Sequence, residues 1–327
     1  MNRFARLFSR TALAVAFATA AVAGHAQDAA SYPNKPVKII VPFAPGGGSD
    51  FMGRLLAKQL TEKLGQPFIV ENKPGAGGNL GAEIAVKSPA DGYTLMLTAA
   101  SYTVNPFVYK VPFDSLKDIT PIAQLARGPF IIAVTPSLPA KTLKELVDLA
   151  KKQPGKLSYA SAGSGSITHV ASEYFMDQAG IDVIHVPYKG TSPALTDTIA
   201  GNTQIVFGTV ASTIPHVKGG KLRALAVSTP KRLPALPDVP TAMELGYKDY
   251  QVVNWHGLIG PKGMPADIVA KLNKAVNETM GAKSMESNLE SDGLTASPGT
   301  AADFGAQLAS ESARWGAIVK KRNIKAE

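Results

Sequence analysis

The sequence predicts an α/β fold of two facing lobes with mixed, mostly parallel sheets, and three observations carry that prediction. Strand-like and helix-like stretches alternate along most of the chain. The order strand, glycine loop, helix, strand, loop, helix, strand occurs twice, the second time roughly 115 residues after the first. Each copy opens on a glycine-rich turn between its first strand and first helix, APGGGSD at 44–50 and SAGSGS at 161–166. Each copy therefore reads as a Rossmann-like βαβαβ unit, with its ligand loops at the carboxyl ends of its strands.

In the first copy, VKIIVPF is the opening strand, and Phe51, Leu55, Leu56, Leu60 and Leu64 form one face of the helix that Gly65 ends. PFIVEN is the second strand, KPGAGG its loop, Asn79 to Val86 the second helix and YTLMLTA the third strand, ending near Ser101. In the second copy, LSYASAG is followed by a helix whose face is Ile167, Val170, Ala171, Tyr174 and Phe175 and whose stop is Gly180. DVIHVPY, KGTSPA, Leu195 to Ala200 and TQIVFGTV complete that unit. LRALAVST is a further strand. The proline-rich KRLPALPDVPTAMELGY is an excursion with one short helix, started by a Thr241 and Glu244 capping box and stopped at Gly246. YQVVNWHGLIGP is extended. Pro265 to Met280 and a last stretch carrying Phe304, Leu308, Trp315, Ile318 and Val319 are amphipathic helices. If these pack on the first unit, the chain crosses twice between lobes: 27–128 with 252–327 forms one, 129–251 the other, and hinge crossings fall near 126–130 and 249–255.

Residues 1–26 lie outside this scheme. Arg3, Arg6 and Arg10 precede an uncharged Ala/Val-rich run from Thr11 to Ala23, and Gly24-His25-Ala26 is a small-x-small cleavage site. This is the pattern of a secretory signal peptide, since the run is shorter than the about 20 strongly apolar residues a membrane-spanning helix needs. The mature chain stays basic, consistent with an acidic ligand. Its Lys and Arg are scattered, with one tight cluster at Lys320-Lys321-Arg322, which argues against nucleic acid. There is no cysteine, hence no disulfide, no Cys-ligated zinc and no lipid anchor on a Cys.

Several chemistries fail on spacing. APGGGSD has no Gly-Lys-Ser/Thr and is not a nucleotide phosphate loop. GAGGNLG puts Leu80, and GSGSIT puts Thr168, where the dinucleotide pattern needs its third glycine. No Gly-x-Ser-x-Gly elbow occurs, and the histidines at 25, 169, 185, 216 and 256 have no metal-ligand spacing. Catalysis finds no constellation, and neither a cofactor nor a metal is expected. A glycine loop feeding a helix does expose several N–H groups at the positive end of a helix dipole, which makes an anion site without a charged side chain. Ser49 and Ser166 are read as N-caps worth about 1 kcal/mol each that also touch a ligand. Asp50 has two readings: satisfying free N–H groups in the first turn of the helix, or the sharper role of orienting the loop or hydrogen-bonding a protonated group on the ligand. His169 either donates to a carboxylate or packs on Tyr188. Phe43 at the strand end is a better pocket candidate than Trp255, which more often fills core.

VPFAPGGGSD, ENKPGAGGNLGAE, DGYTLMLTAAS, YASAGSGSITHVASEYF, VPYKGTSPAL, GGKLRALAVS, PDVPTAMELGY and WHGLIGPKGMP, in this order, resemble the tripartite tricarboxylate transporter substrate-binding proteins, the TctC or Bug family. The resemblance covers essentially the whole mature chain. It implies a periplasmic-binding-protein architecture of two lobes closing like a flytrap, monomeric, in the periplasm, delivering an organic acid to an integral-membrane permease. It also implies that one carboxylate is held by both glycine loops, partly through water. Carried onto this chain, the loops are Phe43 to Asp50, with Ala44, Gly46, Gly47, Gly48 and Ser49, and Ala162 to His169, with Gly163, Ser164, Gly165 and Ser166. Ser101 and Thr209, after the third strand of each unit, would flank the rest of the ligand. Neither loop contains Lys or Arg, so the far end of the ligand is not matched to a charge. Binding rather than turnover is the expectation. A ligand sensor acting on a membrane receptor, and a secreted α/β enzyme, are the alternatives.

Overall fold

The computed structural model describes residues 31–46, 48–291 and 293–325. The signal peptide expected at 1–26 lies outside the described residues, as does Gly47. In the first unit, β1 (Val37–Val41), α1 (Gly48–Leu64), β2 (Phe68–Asn72), α2 (Asn79–Val86) and β3 (Thr94–Ala99) follow one another as the apolar spacing predicts. A 3₁₀ turn (Ala100–Thr103) and the short α3 (Asn105–Val108) lead into the long strand β4 (Ile119–Val134) and then α4 (Leu143–Lys152). The second unit is β5 (Ser158–Ser161), α5 (Ile167–Ala179), β6 (Ile184–Pro187), α6 (Thr191–Ala200) and β7 (Ile205–Thr209). After it come α7 (Val210–Lys218), β8 (Arg223–Val227), β9 (Val253–Pro261), α8 (Ala266–Met280), α9 (Lys283–Ser291), β10 (Thr295–Ala296) and α10 (Ala301–Lys321).

The predicted repeat is visible in the sheet order β2-β1-β3-β9-β4-β7-β5-β6, with β8 and β10 pairing β4 off that path. β1 runs parallel between β2 and β3, and β5 runs parallel between β6 and β7, so each unit has its first strand in the middle. Between the units the pairing changes sense. β9 is antiparallel to β3 and β4, and β4 is antiparallel to β7 and β8. The parallel character expected of the sheets is thus confined to the two units, because the strands that join them return through the sheet directly rather than over a crossover helix.

Strand alternation sorts side chains into layers. Ile39 and Val41 of β1 face a core with Met52, Leu56 and Leu60 of α1 and Leu272 and Val276 of α8, whereas Ile40 faces the opposite layer with Ala82 and Ala85 of α2. In β4, Phe130, Ile132 and Val134 join that second layer, while Ile131 and Ala133 join a third cluster with Leu195 and Val206. The second layer is continuous from Met96 through Trp255 and Trp315 to Phe175, so one core runs beneath both units. Each fully buried Val, Leu, Ile, Phe or Met side chain among them contributes about 1.5–3 kcal/mol.

Two expected local features differ. No helix forms at 241–246, although the capping-box bonds exist: Thr241 N donates to Glu244 Oε2 (2.9 Å) and Glu244 N to Thr241 Oγ1 (3.0 Å). Gly246 follows too soon for more than one turn. α6 starts at Thr191 rather than Leu195, because Pro193 sits in its first turn, where the absent N–H has no helical partner to lose.

Candidate functional site

β1 and β5, the central strands of the two units, each run out into a glycine loop that turns into α1 or α5. In the first loop Asp50 organises the backbone. Its buried carboxylate accepts from Gly46 N (2.9 Å) and Arg54 Nε (3.0 Å) through Oδ2, and from Asn72 Nδ2 (2.9 Å) through Oδ1. Asn72 Nδ2 also donates to Phe43 O (3.0 Å), so one side chain at the end of β2 ties together both ends of the loop. Burial alone raises the Asp50 pKa, but the bonds from Arg54, Gly46 and Asn72 outweigh it and hold the carboxyl below its ordinary value. Of the readings of Asp50, these bonds fit loop orientation, since the backbone donor is Gly46 of the loop.

Ser49 is not the N-cap the sequence predicts. The helix begins one residue earlier, at Gly48, which places Ser49 inside the first turn with its Oγ 3.3 Å from Nε2 of His256 on β9. Burial lowers the pKa of His256 to about 4, keeping the imidazole neutral, and its Nδ1 has no hydrogen-bond partner among the described residues. Phe43 is half-buried, Ala44 and Gly46 are exposed, and Trp255 is fully buried and donates to Glu311 Oε2 (2.6 Å) within the core.

The second loop is denser. Ser166 is the N-cap of α5, accepting from His169 N (3.2 Å), and its hydroxyl lies 2.9 Å from Thr168 Oγ1. Thr168 Oγ1 accepts from Ala162 N (2.9 Å), and Ser161 Oγ accepts from Gly163 N (3.1 Å). His169 Nδ1 accepts from Gly165 N (3.1 Å), which puts the proton of the neutral ring on Nε2. His169 does not rest on Tyr188, whose hydroxyl instead donates to Asp197 (2.6 Å). It stacks on His185 with ring centroids 3.7 Å apart, and His185 Nε2 is 2.7 Å from Ser161 Oγ. Burial lowers His169 to about 4, and burial together with the neighbouring His169 lowers His185 to about 3. With these bonds made, the amides of Ser164, Ile167 and Thr168 have no acceptor among the described residues. These three donors gather at the positive end of the α5 dipole, the arrangement suited to an anion.

Contacts run from one loop to the other. Phe43 lies beside Gly78, the neighbouring Gly77 packs on the Tyr109 ring, and the Tyr109 hydroxyl donates to Ser164 O (3.1 Å). Ser101, in the 3₁₀ turn after β3, is buried; Thr209 ends β7 and pairs with Ser212 Oγ (2.8 Å). Among the described residues neither hydrogen-bonds a glycine loop. Sequence reasoning missed Asn72, His185, His256 and Tyr109. Asn72 stands beside the glycines of ENKPGAGG and was open to notice, but the others meet the loops only through tertiary packing.

The family model described as the tripartite tricarboxylate transporter family receptor, TctC, matches residues 52–324. The chain belongs to this family. It is 33% identical to Protein BugT of Bordetella pertussis over 316 residues, 96% of this chain and 97% of that one. Its structure resembles R. palustris Rpa4515 with adipate, at a TM-score of 0.83 and 34% identity, covering 90% of this chain and all of that one. It also resembles MatC from Rhodopseudomonas palustris with bound malate, at 0.78 and 31%, covering 88% of this chain and all of that one. TctC family members are periplasmic solute-binding proteins, and the α/β architecture of this chain, mixed in strand sense, is theirs.

Proposed function

We propose that this TctC family member is a periplasmic solute-binding protein that takes an organic carboxylate between its two glycine loops and delivers it to an integral-membrane permease, without turnover. One observation carries the reading: the central strand of each unit ends in a glycine loop and a helix start, and the second loop holds its side chains so that the Ser164, Ile167 and Thr168 amides stay open. Relatives with adipate and with malate support a carboxylate as the ligand. In this reading one lobe is 27–128 with 252–327 and the other is 129–251. β4 supports the first crossing, since its partner changes from β9 to β7 and β8 at Pro129–Ile131, and the entry to β9 at Val253 supports the second. The carboxylate bridges two helix starts only when the lobes meet, so binding favours closure.

The test is a thermal-shift panel of adipate, malate, citrate and aromatic acids. A ligand at 100 times its Kd stabilises by about 2.7 kcal/mol, so a true ligand raises the midpoint by several degrees. No shift with any organic acid at millimolar concentration overturns the reading. Export is tested separately, by the N-terminus of the protein recovered from the periplasm, which should begin after Ala26.

A further inference from the structure

Tyr109 does something that neither glycine loop does alone: it touches both units at once. It follows α3 and is anchored there, with its own N–H donated to Asn105 O (2.8 Å), while Asn105 Nδ2 donates to Gly77 O (2.7 Å). Asn105 and Tyr109 are four residues apart and so project on one side of this single helical turn. Both meet Gly77: a Cβ there would stand 2.9 Å from Tyr109 Cε2 and 3.3 Å from Asn105 Oδ1. Gly77 also has φ +66°, so both space and backbone require glycine.

On its other side the same segment faces the second loop. A Cβ on Gly165 would stand 2.7 Å from Val108 Cγ1 and 3.3 Å from Tyr109 Cε2, and φ there is +72°. The Tyr109 hydroxyl donates to Ser164 O. That oxygen belongs to the Ser164–Gly165 peptide, whose N–H is donated to His169 Nδ1. The peptide unit is planar, so holding its oxygen from one unit and its N–H from the other leaves it no freedom to rotate. The open amide of Ser164 stands on the adjoining peptide, and those of Ile167 and Thr168 follow within one turn.

We propose that Tyr109 is an interlobe latch and a positioning residue for the anion site: its hydroxyl locks the Ser164–Gly165 peptide across the cleft, and so slows release of a bound carboxylate. The inference rests on the carboxylate-binding reading above. It adds a residue outside both loops that acts only when the two units are in contact.

The experiment uses the mature chain and Tyr109→Phe, which keeps the ring on Gly77 and Gly165 and removes only the hydroxyl. Stopped-flow release of adipate or malate, whichever the wild type holds more tightly, should be about three- to tenfold faster in the variant, the size of one hydrogen bond. Association should change less. Amide exchange over 161–169 with the acid bound should also quicken, while exchange in α8, far from the contact, stays as in the wild type. Release within twofold of wild type overturns the latch, whatever the exchange shows. A wild-type chain that takes no acid sinks the carboxylate reading instead, and the same exchange measured without acid then decides the contact by itself: unchanged protection at 161–169 overturns it. A general loss of stability is recognised by faster exchange in α8, and counts against a local latch.

Discussion

Asp50 shows how a carboxylate is accommodated in a loop proposed to take an anion. A carboxylate beside a prospective carboxylate ligand would repel it, yet its charge is matched by Arg54 and by the N–H groups of Gly46 and Asn72. Its bonds are those of a residue that shapes the loop. Asp50→Ala should leave those donors unmatched at a buried position and cost about 1–3 kcal/mol, a fall of a few °C in the ligand-free melting temperature. A ligand-contact role would instead leave the ligand-free midpoint unmoved and weaken binding alone, so calorimetry with and without acid separates the two. The lowered Asp50 pKa gives the sign of its pH dependence: its contribution is complete above the ordinary Asp value near 3.9 and is lost as pH falls through the lower folded value.

At the scale of elements, the two loop–helix junctions are similar in plan and different in construction. α5 is capped by Ser166 in the ordinary way, whereas α1 begins at Gly48 and turns its serine toward His256. Ser166→Ala should cost about 1 kcal/mol, read as a lower urea midpoint, and should loosen Thr168, whose hydroxyl lies against it. Ser49→Ala removes no cap, so its midpoint should fall by less; equal losses at both positions would contradict the assigned helix starts. The 3.6-residue apolar spacing made α1, α2, α5 and α8 legible. β4 is not legible in this way: it is apolar on both faces and lacks the alternation that announces a half-exposed strand, since both of its faces are covered.

At the scale of the molecule, three histidines, His169 and His256 buried and His185 half-buried, stay neutral in the fold but take up a proton in the unfolded chain near pH 6.5. Their folded pKa values are lowered, so the unfolded state binds more protons below 6.5 and stability falls as pH drops from about 6.5 toward 4. Each buried ring contributes a slope of at most about 1.4 kcal/mol per pH unit within that window, and the half-buried His185 less. Urea midpoints should be flat above pH 7 and decline steeply from 6 to 4; a flat profile across that range would show these rings to be accessible to protons. Lobe closure belongs to the same scale. Small-angle scattering should show a smaller radius of gyration when the acid identified by thermal shift is added, and identical profiles at saturation would exclude a flytrap motion.

The sequence by itself determined the class, the doubled βαβαβ order, the positions of both glycine loops and the family, because each depends on local features: apolar period, turn chemistry and ordered motifs. Only the tertiary structure decided what those loops rest on. Asn72 reaches Asp50 of α1 from the end of β2, His185 reaches Ser161 across a strand pair, His256 comes to Ser49 from a strand some 200 residues later in the chain, and Tyr109 comes to Ser164 from the other unit. A hydrogen bond between side chains distant along the chain leaves no period and no motif. It exists only once the core beneath both units has brought their strands into one sheet.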